Sequence, residues 1–113
     1  SDQAVPALRE VLLRQSESGI LRLAAALALR DIRSDKAVPA LREVLLRQSE
    51  SGILRLAAAL ALGSIGSDQA VPDLLEVFLR QSETENFRRR AAKLLGSIGG
   101  DQAVPALREV LLR

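Results

Sequence analysis

The chain contains no cysteine, histidine, tryptophan, tyrosine or methionine, and its only aromatic residues are Phe78 and Phe87. Without cysteine there is neither a disulfide framework nor a thiolate site, and nothing marks a redox compartment. With histidine and tyrosine missing too, the usual general bases, soft metal ligands and nucleophile pairs are absent. Catalysis is therefore set aside, and neither cofactor nor metal is expected. No uninterrupted apolar stretch approaches the roughly 20 residues that span a bilayer, and the amino end lacks a signal-peptide pattern. The expectation is a cytoplasmic protein with no membrane partner. With no initiator methionine, the chain is expected to be an excised or processed piece, such as one cut from a longer array.

What is present is repetition, and a fixed period governs the reading of every other feature. Residues 1–33, SDQAVPALREVLLRQSESGILRLAAALALRDIR, recur at 34–66 with changes only at Lys36, Gly63, Ser64 and Gly66. Residues 67–99 are a more diverged third copy, and 100–113 repeat the first half of a fourth. Such closeness points to recent duplication or to deliberate design. At 113 residues, 48% hydrophobic and 27% charged, the chain is expected to be one array, 1–113, whose folding rests on stacked copies rather than on a large central core.

Each copy divides into two helices. Asp2 ahead of Gln3-Ala4-Val5-Pro6 suits an aspartate N-cap with proline in the first turn, where a missing amide donor costs least, so helix A is expected from about Gln3. Ala4, Val5, Ala7, Leu8, Val11 and Leu12 project onto one face, while Gln3, Arg9, Glu10 and Arg14 fall opposite. The run Gln15-Ser16-Glu17-Ser18-Gly19 interrupts it, with Ser16 the expected cap of helix B; in the third copy Ser82 and Glu85 have capping-box spacing. Helix B is expected to run to about Leu29. Gly63-Ser64-Ile65-Gly66 and Gly96-Ser97-Ile98-Gly99 supply glycines for a left-handed C-cap, where the first copy has Arg30-Asp31-Ile32-Arg33.

A 33-residue period also fits ankyrin and lies close to the tetratricopeptide repeat. Neither matches in residue content, because the chain lacks the Trp, Tyr and His their patterns use. Ala-Val-Pro-Ala-Leu in helix A, Phe87-Arg88-Arg89 leading an Ala-rich helix B, and Leu-Gly-Ser-Ile-Gly after it resemble the HEAT-like repeat of the phycobilisome-lyase type. The likeness covers the whole chain. It is best in the third copy, at Arg88, Ala91, Ala92, Leu95 and Gly96; the first two copies depart by placing leucines where the family is usually polar. Artificial consensus arrays of this family look similar. The resemblance implies an all-α fold, a right-handed α-solenoid of antiparallel two-helix HEAT-like repeats with about seven helices, B helices lining one face and A helices the other. Some relatives are chromophore lyases, but nothing here matches a bilin pocket. It also suggests ladders: Asp2, Asp35, Asp68 and Asp101 against Arg22, Arg55 and Arg88, read as structural contacts between copies.

Helix B holds the most informative difference. Leu21, Ala24, Ala25, Ala28, Leu29 and Ile32 form the expected core arc, matched by Phe87, Ala91, Leu94, Leu95 and Ile98. Ile20, Leu23 and Leu27 lie outside it, and Ile53, Leu56 and Leu60 repeat the stripe, whereas the third copy has Asn86, Arg89 and Lys93 there. One position that is polar once and apolar twice is not demanded by the core. Six large aliphatic side chains in adjacent copies make a patch of the size that marks an interaction surface. These six are the candidate protein-binding residues, in a non-catalytic protein-interaction or self-assembly scaffold. The competing reading buries the stripe between neighbouring B helices. Leu13, Leu46, Leu79 and Leu112 project into the polar face of helix A and are expected to fold back over the A–B turn.

Helix A of 100–113 keeps the apolar pattern of the interior copies and shows no polar cap, which favours a homodimer or higher oligomer, or another protein as partner. Glu10, Glu43, Glu76 and Glu109 beside Arg9, Arg42 and Arg108 are what a solvated helix face with ordinary ion pairs looks like. Nucleic-acid binding is the alternative, through anion-binding Arg88, Arg89, Arg90 and Lys93. The net charge of only +2 and the lack of Trp and Tyr count against it. The pI of 9.9 reflects arginine's high pKa in a nearly neutral chain.

Overall fold

The computed structural model describes residues 2–67, 69–98, 105 and 108. The described residues contain helices and no strand. The chain divides into two compact units, Ser1–Ser67 and Asp68–Arg113.

The first unit holds two copies of the two-helix motif. A 3-10 turn, Asp2–Ala4, leads into α1 (Val5–Leu13), and α2 (Gly19–Ile32) follows. The second copy repeats this with a 3-10 turn at Asp35–Ala37, α3 (Val38–Leu46) and α4 (Gly52–Ile65). α1 packs on α2 and α3 on α4, while the copies meet mainly along α2 and α4, with a lighter contact between α1 and α3. The second unit pairs α5 (Ala70–Leu79) with α6 (Glu85–Ile98). Of the seven helices expected, six α-helices are described; the region of the seventh lies outside the described residues except for Pro105 and Arg108, both helical and exposed.

Local signals explain the helix limits, and two differ from the sequence expectation. The A helices reach α geometry only at Val5 and Val38, after the 3-10 turn, which places Pro6 and Pro39 in the first α turn where no amide is needed. Asp2 and Asp35 sit inside that turn. In the second copy the cap is Ser34, whose hydroxyl accepts from the Lys36 amide at 3.3 Å. Helix B is likewise not capped by Ser16. Ser18 Oγ accepts from the Leu21 amide and Ser51 Oγ from the Leu54 amide, each at 3.2 Å, and Thr84 Oγ1 does so for Phe87 in the third copy, at 3.1 Å. These residues stand three before the amide they serve, the spacing that an N-cap hydroxyl reaches. At the other end α2 and α4 run three residues past Leu29 and Leu62. Gly66 closes α4 at φ 78°, as its glycine suggests, and Arg33 takes the same left-handed conformation at φ 59°.

The core follows the expected faces where a neighbour covers them. In α3, Ala40, Leu41, Val44 and Leu45 are buried, and in α4 so are Leu54, Ala57, Ala58, Ala61 and Leu62. The first copy does not obey the same arc. Leu21 is 52% exposed where Leu54 is 4%, and Ala24, Ala4 and Ala7 are exposed as well. The side of α4 that α2 covers has no counterpart covering it on α2, so an identical sequence yields different burial. Ala28 and Ile32 are half-buried, leaving Ala25 and Leu29 as the buried members of that arc. Ala26, outside the expected arc, is fully buried in the helix that packs on α4. In α6, Phe87, Ala91 and Leu95 are buried, with Leu94 and Ile98 half-buried.

Candidate functional site

The arginines at the fourth position of each B helix fix the surface that these helices present. Arg22, Arg55 and Arg88 each donate Nε to the carbonyl near the end of the preceding A helix, to Leu12 at 2.9 Å, Leu45 at 2.9 Å and Phe78 at 2.7 Å. The last carbonyls of a helix have no partner within it and draw cations. One side chain per copy thus ties the end of helix A to helix B. Arg88 also lies 5.9 Å from the centroid of the Phe78 ring.

Arg22 reaches further, to the next copy. Its two terminal nitrogens donate to the two carboxylate oxygens of Glu50 at 2.8 and 2.6 Å. Both side chains are nearly buried, 9% and 6% exposed. Between the first two copies the link is therefore arginine to glutamate, not the expected arginine to aspartate: Asp35 is exposed in the 3-10 turn, whereas Glu50 lies in the A–B turn facing α2, and Asp68 and Asp101 of the expected ladder lie outside the described residues. The Arg22 hydrogen bonds hold the Glu50 carboxyl below the ordinary glutamate range, against burial, which pushes it up; charges of Arg22 and Arg47 add to the lowering. Arg47 bridges Glu50 at 3.5 Å and Glu43 at 3.0 Å, and Arg80 repeats the arrangement with Glu83 and Glu76 at 3.2 and 2.8 Å. Glu10 pairs with Arg14. The exposed glutamates thus pair four residues along the helix rather than with the adjacent Arg9 and Arg42, since side chains four apart share a face. Arg9 instead donates to the Lys36 carbonyl at 3.0 Å. Glu109 lies outside the described residues.

With its arginines withdrawn, the outer face of the α2–α4 pair is apolar. Ile20 is 81% exposed, Ile53 64% and Leu60 38%. Leu23, Leu27 and Leu56 are half-buried. The two isoleucines follow the capping serines and Gly19 and Gly52, so they sit in the first turn, at the same end of both helices. The only other charges on α2 and α4 are Arg30 and Asp31, paired at 3.3 Å at the far end of α2. Among the A helices, Leu13 and Leu46 are half-buried and Leu79 is 41% exposed. Leu112 lies outside the described residues. Pro6, Leu13, Pro39 and Ala40, with Arg9, Glu10 and Glu43, line an open groove of about 370 Å³ between α1 and α3.

The candidate anion-binding residues of α6 are dispersed. Arg88 is committed to the Phe78 carbonyl, Arg89 donates to Asn86 Oδ1 at 3.1 Å, and Arg90 and Lys93 are exposed. Among the described residues no group of three or more acidic, histidine or cysteine side chains could hold a metal ion, and no helix is long and apolar enough to cross a membrane.

Paired antiparallel helices recurring every 33 residues define an α-solenoid of helical repeats. The chain belongs to the HEAT repeats family, which it matches over residues 45–113, and residues 21–47 match the PBS lyase HEAT-like repeat. HEAT repeats generally mediate protein–protein interaction and typically serve as non-catalytic scaffolds. No curated protein sequence matches the chain.

Proposed function

We propose that the chain is a non-catalytic docking scaffold that binds protein through the stripe Ile20, Leu23, Leu27, Ile53, Leu56 and Leu60. One observation carries the reading: Ile20 and Ile53 stand 81% and 64% in solvent, at positions where the third copy forms the same helix with asparagine. The fold has no use for those methyl groups, and each isoleucine fully buried by a partner contributes about 1.5–3 kcal/mol. Leu23, Leu27 and Leu56 form the lower ground beside them, and Leu60 extends it along α4. A contiguous apolar surface of this kind marks a contact site in a folded protein.

The test gives the first two copies the residues of the third. An Ile20→Asn, Ile53→Asn, Leu60→Lys variant and the parent are titrated with an environment-sensitive apolar dye. The parent is expected to bind dye with enhanced, blue-shifted emission that the variant largely loses. Equal binding by the two chains would put the accessible apolar surface elsewhere and end the proposal.

A further inference from the structure

We infer that this chain joins copies of itself head to tail: the third repeat of one molecule docks on the uncovered side of α1 and α2 of the next, as the first repeat docks on the second within the molecule. This surface is separate from the stripe, and the inference stands without it.

The structure shows what such a surface takes. Ala37, Leu41, Val44, Leu54 and Ala57 are buried in the second copy. Their identical counterparts one period earlier, Ala4, Leu8, Val11, Leu21 and Ala24, are exposed or half-buried. The second copy differs in having the first in front of it, packed chiefly through α2 on α4. A repeat stacked in front of the first copy therefore meets the same residues that the first copy already covers in the second.

Charge names the repeat that fits. Across the internal joint, Arg22 donates both terminal nitrogens to the Glu50 carboxylate. Each half of that pair recurs alone. Glu17, one period before Glu50, is half-buried and forms no ion pair among the described residues. Arg88, two periods after Arg22, binds the Phe78 carbonyl through Nε as Arg22 binds that of Leu12, but its terminal nitrogens meet no carboxylate among the described residues. A two-point arginine–carboxylate pair sets position as well as adding energy, so Arg88 of one molecule and Glu17 of the next restore the register of the internal joint. Ala92 of α6 is half-buried, whereas its counterpart Ala26, in the helix that packs on α4, is fully buried. The sequence agrees: residues 100–113, which follow the third copy, repeat 1–14 with Gly100 in place of Ser1. The first helix of a second molecule is thus what this chain itself places after its third copy, with α2 attached, and it can take that place by exchange.

One link of the internal joint has no counterpart. Ser64 Oγ donates to the Arg30 carbonyl at 3.0 Å, and Asp31 stands in the place of Ser64 in the first copy. The joint between molecules is therefore weaker than the internal one. Because its two surfaces differ, it is open-ended and grows with concentration.

Light scattering across micromolar to millimolar concentration tests this, with circular dichroism checking the helicity of each chain. The parent mass is expected to climb with concentration from 12.2 kDa. One variant, Ala4→Arg with Leu21→Lys, alters exposed side chains of the receiving face; another, Ala92→Arg, alters the docking face of α6. Each alone is expected to stay monomeric, and their one-to-one mixture to form a heterodimer, since each keeps the surface the other has lost. Glu17→Lys leaves the apolar face intact and is expected to weaken association by about tenfold or more, as loss of a nearly buried charge pair does. The Ile20→Asn, Ile53→Asn, Leu60→Lys chain associates like the parent. A parent that is monomeric throughout overturns the inference, as does a receiving-face variant that still associates with itself, or a pair of folded variants that do not join when mixed. Loss of association in the stripe variant alone also overturns it, and assigns the contact to the stripe.

Discussion

Replacing Glu50 with glutamine isolates the buried ion pair between the first two copies. Glutamine keeps the size and one acceptor oxygen but removes the charge and one of the two hydrogen bonds from Arg22. Removing a partner from a buried pair costs about 3–5 kcal/mol, and a hydrogen bond to a charged group is worth about 1.5–3 kcal/mol. The retained oxygen places Glu50→Gln near the low end, about 2–3 kcal/mol. For a domain of this size that corresponds to a melting temperature lower by roughly 10–20 °C. The chain supplies its own control: Glu17 holds the same position in the first copy, and among the described residues no arginine pairs with it. Glu17→Gln is expected to change stability by under about 0.5 kcal/mol, the surface norm. Because pairing depresses the folded-state pKa of Glu50, its stabilisation is present above the ordinary glutamate value of 4.5 and is lost as pH falls through the lower folded value. Thermal melts followed by circular dichroism should therefore show a gap between parent and Glu50→Gln that is constant at neutral pH and narrows in acid below 4.5. Equal shifts for Glu50→Gln and Glu17→Gln, or a gap indifferent to acid, would refute the assignment.

Two further substitutions test local structure by urea denaturation. Ser51→Ala removes the hydroxyl that accepts the Leu54 amide and is expected to cost about 1 kcal/mol, while Ser49→Ala, at the position of Ser16, costs little. Arg33→Gly relieves a side chain held at φ 59° and is expected to raise stability by about 0.5–1 kcal/mol, the reverse of the usual glycine effect.

The architecture was legible because the period and the apolar spacing are redundant: each copy restates the same two faces, and α3 and α4 bury most of the residues those faces name, with Val38 and Ile65 half-buried. Gly66 was legible too, since a left-handed C-cap selects glycine. The caps were misplaced because several serines crowd the A–B turn, and only backbone geometry separates Ser18 from Ser16 by its reach to the Leu21 amide. The arginine ladder was visible as a recurrence, but at its Arg22 rung the partner is a glutamate and not the expected aspartate. Glu17, Glu50 and Glu83 recur as regularly as the aspartates, and their place beside helix B was the signal that could have chosen them. Leu21 and Ala24 could not have been separated from Leu54 and Ala57 by pattern, since the residues are identical and only the neighbour differs. For the stripe, the sequence distinguished polar from apolar copies. The grading from Ile20 in solvent to half-buried Leu23 depends on the neighbours that fold around each side chain, which a pattern does not give.

The claim on which the account turns is that the exposed members of the stripe serve contact and not the fold. Its most direct test is the thermal melt of the Ile20→Asn, Ile53→Asn, Leu60→Lys variant at a concentration where the parent is monomeric. A cooperative transition within a few degrees of the parent's is the expected result. A collapse of the melting temperature, or loss of cooperativity, would show that these side chains belong to the core and would contradict the account.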